Sequence, residues 1–229
     1  MIQKYELTPR LEMCARFAEG SKLLADVGTD HAYLPINLLM RGKIGFAVAA
    51  DLRQGPLQSA RRHAMEAGCA DKIRFELADG LDFPGAVDCD AVVCAGMGGE
   101  TIAGILERAP WTLSDTKLIL QPQSKLDELC LWLCNNGYGI HTASLAAEGE
   151  RMYVCLEVYG GAAGFLYAED ALAAAQDKLL GAWIESRTRR IERALEGMLR
   201  GSDTAGEAQA ARETLLRLSK YAGGKHDNC

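Results

Sequence analysis

The sequence predicts an α/β fold: a mostly parallel seven-stranded sheet covered by helices, followed by a separate helical unit. Three observations carry this expectation. Apolar runs bounded by turn residues alternate with helical patterns up to Gly137, as in parallel sheets covered on both faces. Two strand-like runs then follow with no room between them for a crossover helix. A glycine-rich stretch finally leads into a tail whose apolar residues recur at helical spacing.

Taken in order, the first strand spans Lys22 to Val27, and a turn at Gly28 leads to a helix from Tyr33 to Arg41. The second strand, Phe46 to Asp51, precedes a helix from Pro56 to Ala67, and the third strand covers Ile73 to Ala78. Ala91 to Ala95 and Lys117 to Gln121 are the fourth and fifth strands, followed by helices from Glu100 to Arg108 and from Lys125 to Asn135. Asn136-Gly137 is a strong helix stop. Tyr138 to Leu145 and Met152 to Tyr159 are separated only by "AAEGER" and therefore pair antiparallel. Five parallel strands plus a terminal hairpin is the order of Rossmann-like methyltransferases, whereas a nicotinamide-binding Rossmann domain continues with a sixth parallel strand.

"GGAAG", Gly160 to Gly164, reads as a linker. The expected division is therefore a sheet domain over 1–160 and a helical domain over 161–229. Leu172, Leu179, Leu180, Trp183, Ile184, Ile191, Leu195 and Met198 mark one face of a long helix, which "RGSDTAG" interrupts. Leu215, Leu216, Leu218 and Tyr221 suggest a second helix, giving an antiparallel α-helical hairpin with coiled-coil character.

Composition narrows the functional class. No apolar run approaches the roughly 18 to 20 residues that span a bilayer, and the first residues lack the apolar core of a signal peptide. The expectation is a cytoplasmic protein with no membrane partner, a monomer or weak dimer. Eight cysteines without a C-x-x-C, and four scattered histidines, suggest buried thiols and no metal. Residues 160–229 carry 10 basic and 10 acidic side chains, so the net charge of -6 lies wholly in the part before them. A nucleic-acid partner must then be held by local basic patches.

The chemistry concentrates at the strand ends. A dinucleotide-binding turn has the pattern G-x-G-x-x-G, whose second glycine lets backbone approach a pyrophosphate. Here the turn reads Gly28-Thr29-Asp30-His31-Ala32, with an acid at that glycine's place. A carboxylate repels pyrophosphate but suits a cationic, phosphate-free ligand such as S-adenosylmethionine. Asp26 lies just before this turn, and Asp51 ends the second strand, where an acid accepts hydrogen bonds from both hydroxyls of a ribose. Asp79-Gly80 ends the third strand, with Asp79 placed for an adenine amino group, and "CAGMGGE", Cys94 to Glu100, ends the fourth, where a methyl group would be presented. Each has a plainer reading on its own: a capped turn for Asp26, a solvated strand end for Asp51, an ordinary turn for Asp79-Gly80, a shaped loop for the later glycines, a helix-start residue for His31. Jointly they form a pattern that none makes singly.

"LTPRLEMCARF", "LADVGTDHAYLP", "AADL", "ADGL", "VVCAGMGGETIAGIL", "LILQPQ" and "LCNNGYGI" together resemble the bacterial tRNA (adenine-N1)-methyltransferase family that modifies adenine 22 of the tRNA D-arm, known as TrmK. The resemblance runs over about residues 7 to 160, and the tail matches the family's C-terminal helical domain in length and character. It implies a class I Rossmann-like methyltransferase fold and S-adenosyl-L-methionine as cofactor. It places Asp26, Gly28, Thr29, Asp30 and His31 around the methionine, Asp51 and Leu52 at the ribose, Asp79 and Gly80 at the adenine, and Ala95, Gly96, Met97 and Gly98 beside the methyl group. A tRNA is the implied partner.

Adenine N1 already bears the lone pair that attacks, so orientation rather than deprotonation should dominate. Methylation puts positive charge on the ring, which a nearby carboxylate favours. Asp30 is the expected catalytic group, with His31 and Tyr33 lining the entrance and Glu100 in reserve. Arg187, Arg189, Arg190, Arg193 and Arg200 form the densest basic stretch and are the expected tRNA contacts. Their plainer reading is a solvated helix face pairing with Glu185, Glu192 and Glu196. Rival functions are methyl transfer to another RNA position or a small molecule, a non-catalytic cofactor-binding interaction module, and a nicotinamide-dependent dehydrogenase, the last disfavoured by Asp30.

Overall fold

Runs such as "LLADV" and "FAVAAD" pack on both faces, so they settle at the centre of a sheet rather than at its rim. The computed structural model describes residues 5–161, 163–198 and 205–222. Its seven strands are β1 (Leu23–Val27), β2 (Phe46–Asp51), β3 (Ile73–Leu77), β4 (Ala91–Gly98), β5 (Lys117–Ser124), β6 (Tyr138–Glu148) and β7 (Arg151–Gly160). They form one sheet in the order β3-β2-β1-β4-β5-β7-β6. The first five are parallel, and β7 pairs antiparallel with both β5 and β6. The crossovers reverse direction between β1 and β4, which opens a crevice at their carboxyl ends, the place where ligands bind in such sheets.

Helices α2 (Tyr33–Met40), α3 (Gln54–Ala67), α4 (Gly99–Glu107) and α5 (Leu126–Asn135) supply the crossovers. Leu118, Ile119 and Leu120 of β5 are fully buried, together with Ile102 and Leu106 of α4 and Leu129 and Leu133 of α5. Each such side chain contributes about 1.5–3 kcal/mol through burial. The hairpin β6–β7 is longer than its apolar runs suggest, because Glu148 pairs with Arg151 and leaves only Gly149-Glu150 as the turn. Gly149 has φ 60°, matching the glycine-first turn that suits the strand twist.

An additional helix, α1 (Pro9–Ala18), precedes the sheet and packs against β4, β5, β6 and β7. Thr8 caps it by accepting from the Leu11 amide at 3.5 Å, and Pro9 occupies its first turn. Met13, Cys14, Ala15 and Ala18 form its buried face.

Two compact units result, Met1–Ala175 and Gln176–Cys229. The glycine stretch expected to be a linker is packed at its two end glycines, Gly160 and Gly164. Phe165 donates to the Ile140 carbonyl at 2.8 Å, and a Cβ at Gly164 would meet that carbonyl at 2.6 Å, so only glycine allows the approach. The first unit then continues into α6 (Ala168–Ala174), where Leu172 is buried. The expected single long helix is thus interrupted: Gln176 adopts φ 52°, and α7 begins only at Leu180, leaving Leu179 outside it. In the second unit α7 (Leu180–Met198) and α8 (Ala205–Ser219) pack on each other, with Trp183 and Ile184 buried on α7 and Leu218 on α8.

Six cysteines among the described residues are buried and Cys134 is exposed; Cys229 lies outside them. Burial pushes the Cys94 thiol up to about 12, with the charge of Asp26 adding to it.

Candidate methyl-donor site

Because β3, β2, β1 and β4 are neighbours and parallel, the residues that end them share one edge of the sheet. Asp26 is the penultimate residue of β1 and only 8% exposed. It accepts a hydrogen bond from the Thr29 hydroxyl at 2.6 Å. Burial pushes its carboxyl up to about 6; the Thr29 bond opposes the rise, and the charge of Asp51 adds to it. The amides of Gly28 and Thr29 donate to the Ala50 carbonyl at 2.8 and 3.0 Å, which ties the turn after β1 to the end of β2. Gly28 has φ 72°, and the Met97 methyl fills the space a side chain would need. The turn and the "AGMGG" segment are therefore in contact, with no room between them for a Cβ.

Asp51 is buried, and its Oδ1 accepts from the Arg53 amide at 2.8 Å; the Arg53 guanidinium lies 3.6 Å away. Leu52 is 69% exposed beside it. Asp79 is an exposed acid paired with Arg108 at 3.0 Å, immediately before Gly80. At the end of β4, register shifts around Met97 break the pairing with β5, so Ala95, Gly96, Met97 and Gly98 form an irregular ledge before α4. Glu100 is exposed in the first turn of that helix.

Past Gly28, Asp30 is the most exposed of the acids at 77%, and its carboxylate stands 3.6 Å from His31 Nε2. Ala32 takes φ 56° to start α2. His31 packs 5.4 Å from both Tyr33 and His63, while Tyr33 and His63 stack at 5.2 Å. Tyr5 closes the cluster, its hydroxyl donating to the His63 carbonyl at 3.0 Å. His31 Nδ1 is buried without a hydrogen-bond partner among the described residues. Sequence reading found His31 and Tyr33 but not Tyr5 and His63, which are 58 residues apart and carry no local pattern.

Two more residues escaped the sequence. Gln121 of β5 is 0% exposed, and its Oε1 accepts from the Gly96 amide at 3.1 Å and from Arg10 Nη1 at 3.0 Å. Arg10 belongs to α1, an element absent from the sequence expectation.

A methyltransferase domain family matches residues 7–156. The tRNA (adenine(22)-N(1))-methyltransferase of Bacillus subtilis is 30% identical over 184 residues, 80% of this chain and 76% of that protein. The chain belongs to this methyltransferase family. Among solved structures, the B. subtilis m1A22 tRNA methyltransferase TrmK superposes with a TM-score of 0.79 at 25% identity, covering 95% of this chain and 99% of that one. A Streptococcus pneumoniae protein in complex with S-adenosyl-L-methionine gives a TM-score of 0.80 at 32% identity, covering 95% and 100%.

The sheet edge in this chain fits such a cofactor on its own terms. Asp26, Asp51 and Asp79 present carboxylates at three adjoining strand ends, a set that favours a cationic ligand with ribose hydroxyls and disfavours a diphosphate. Among the described residues no cation faces the buried Asp26, whose neighbours are the Thr29 hydroxyl and the charge of Asp51, so a cationic ligand suits it. Among the described residues no group of three or more His, Cys, Asp or Glu side chains could hold a metal ion, and no helix is long and apolar enough to cross a membrane.

In the second unit Arg189, Arg190 and Arg193 are exposed along α7. Arg187 departs from the expected basic face: it is buried, its guanidinium 5.0 Å over the Trp183 ring. Arg200 lies outside the described residues.

Proposed function

We propose that this chain transfers a methyl group from S-adenosylmethionine to N1 of adenine 22 in the tRNA D-arm. The carrying observation is the edge of three acids closed by a Met97–Gly28 contact, in a chain 30% identical over most of its length to an enzyme named for that reaction. In this reading Asp26, Gly28, Thr29, Asp30 and His31 hold the amino-acid end of the cofactor. Asp51 and Leu52 hold its ribose, Asp79 and Gly80 its adenine, and Ala95 to Gly98 flank the methyl group. Bound there, the cofactor supplies an electrophilic methyl group on a sulfonium.

The protein's own part is alignment and charge. N1 needs no base, so holding the ring in line is worth about 7–11 kcal/mol when alignment is good. Asp30 is the carboxylate assigned to the positive charge that the ring gains, because it is the exposed acid of the turn. His31 and Tyr33, with Tyr5 and His63 behind them, offer an aromatic wall for a planar base. Glu100 is the second acid at the β4 end. Unstacking the target nucleotide costs a few kcal/mol, offset by phosphate contacts that we assign to Arg189, Arg190 and Arg193. The division of labour we assign is cofactor binding by the sheet-bearing unit Met1–Ala175 and tRNA gripping by the helical unit Gln176–Cys229, in a cytoplasmic monomer or weak dimer. Incubation with labelled cofactor and unmodified tRNA, followed by nucleoside mapping, tests the reading: label at N1 of adenine 22 is expected, and a folded protein that labels no tRNA would overturn it.

A further inference from the structure

Arg10 occupies an unfavourable place for a structural cation. It lies in the first turn of α1, where the helix dipole presents its positive end. The Glu148 carboxylate compensates by accepting from the Arg10 amide at 2.9 Å; it also feels the Arg10 charge, as the smaller of the two effects, and no hydrogen bond joins it to the guanidinium among the described residues. Among the described residues the guanidinium makes one side-chain hydrogen bond, 3.0 Å to Gln121, and lies 5.7 Å over the Tyr153 ring. Arginine carries five N–H donors, so most of its donor capacity remains available.

Gln121 fixes where that capacity points. Its buried oxygen is shared between Arg10 Nη1 and the Gly96 amide, so one atom indexes the cation to the ledge beside the proposed methyl group. The approach is close: a Cβ on Gly96 would lie 3.5 Å from Arg10 Nη1. Gln121 is 0% exposed whereas Gly96 is exposed and Arg10 half-buried, so the glutamine is the support and the guanidinium is the presented group. Around it the edge is acidic. The neighbouring strand ends carry Asp26, Asp30, Asp51 and Asp79, with Arg53 beside Asp51 and Arg108 on Asp79, whereas Arg10 is the cation anchored to the β4 ledge among the described residues.

We propose that Arg10 binds an anionic oxygen group of the reactants, and that Gln121 is the positioning residue that holds its guanidinium against Gly96. Two reactant groups share this chemistry: the amino-acid carboxylate of the methyl donor and a backbone phosphate of the acceptor nucleotide. The inference rests on the methyl-transfer reading above and adds to it a residue on α1 and a buried amide on β5.

The test uses the full chain and calorimetric binding of S-adenosylhomocysteine, which has the carboxylate, and of 5′-methylthioadenosine, which lacks it, alongside tRNA kinetics. If the carboxylate is the ligand, Arg10→Ala weakens S-adenosylhomocysteine by about 10- to 100-fold, the span of a charge-assisted hydrogen bond, and leaves methylthioadenosine unchanged. If a phosphate is the ligand, both nucleosides bind as before, KM for tRNA rises, and the salt slope of tRNA binding falls by about 1. Arg10→Lys keeps the charge without the fork and lies between Ala and wild type in either case. Gln121→Leu reproduces the direction of the Arg10→Ala effect, and Gln121→Glu, which keeps an acceptor oxygen, restores part of it. Should Gln121→Leu fail to fold, the Arg10 pair decides, since Arg10 is half-exposed. Arg10→Ala with unchanged affinity for both nucleosides, unchanged KM for tRNA and an unchanged salt slope overturns the inference. Wild-type protein that binds no S-adenosylhomocysteine overturns instead the methyl-transfer reading.

Discussion

Replacing Asp26 by Asn should make the ligand-free protein more stable at neutral pH while weakening its hold on the methyl donor. Burial raises this carboxyl from 3.8 to about 6, and each pKa unit corresponds to 1.36 kcal/mol. The folded state therefore holds the proton more tightly than the unfolded chain. Stability from this group is greatest below pH 3.8, declines as pH rises through the window to about 6, and is lower by about 3 kcal/mol above it. Asn keeps an oxygen for the Thr29 hydroxyl and removes the charge that burial penalises. The expected gain at pH 8 is about 2–3 kcal/mol, reduced by about 1 kcal/mol if the new amide protons find no acceptor. That gain should shrink towards pH 4. Denaturant unfolding of both proteins at pH 8 and pH 4.5 measures the difference, and calorimetry with S-adenosylmethionine measures the cost, expected to be at least about tenfold in Kd. In the wild type, cofactor affinity should also rise between pH 5 and pH 7 as Asp26 ionises, and the variant should lose that rise. A stability difference that is the same at both pH values would refute the account of Asp26 as a desolvated carboxylate awaiting a cation.

Other positions give simpler expectations. Gly28→Ala places a Cβ at φ 72° against the Met97 methyl; about 1–3 kcal/mol of stability should be lost, with a sharp drop in cofactor binding by calorimetry. Changing Arg189, Arg190 and Arg193 together to Ala should raise the Kd for tRNA and reduce the salt slope by up to about 3, while S-adenosylhomocysteine binds as in wild type.

The parallel strands were legible because both-sided burial leaves uninterrupted apolar runs, and β1 and β2 begin and end within a residue of the sequence expectation. The acid-bearing turns were legible because each follows directly on its strand. Helix α1 was missed although Thr8-Pro9 is a recognisable start signal; its single buried face is short and mostly alanine and cysteine. The break between α6 and α7 was invisible for another reason. Leu172, Leu179, Leu180 and Trp183 keep a helical rhythm across Gln176, and periodicity does not register one residue that turns left-handed. Arg187 sits in a basic run but is claimed by Trp183, a partner one turn away that the charge count ignored. Tyr5, His63, Arg10 and Gln121 reach the site only through tertiary packing, so nothing local distinguishes them.

The order of the last strands has a consequence for synthesis. Strand β7 lies between β5 and β6 yet is the last of the three to be made. From Ser124 to Gly160, a stretch the ribosome covers in about 2–7 s at 5–20 residues per second, the fully apolar flank of β5 has no partner. A nascent chain holding Leu118, Ile119 and Leu120 on an open edge is a template for pairing with a neighbour, so pausing of synthesis between these two positions is expected to lower the yield of folded protein.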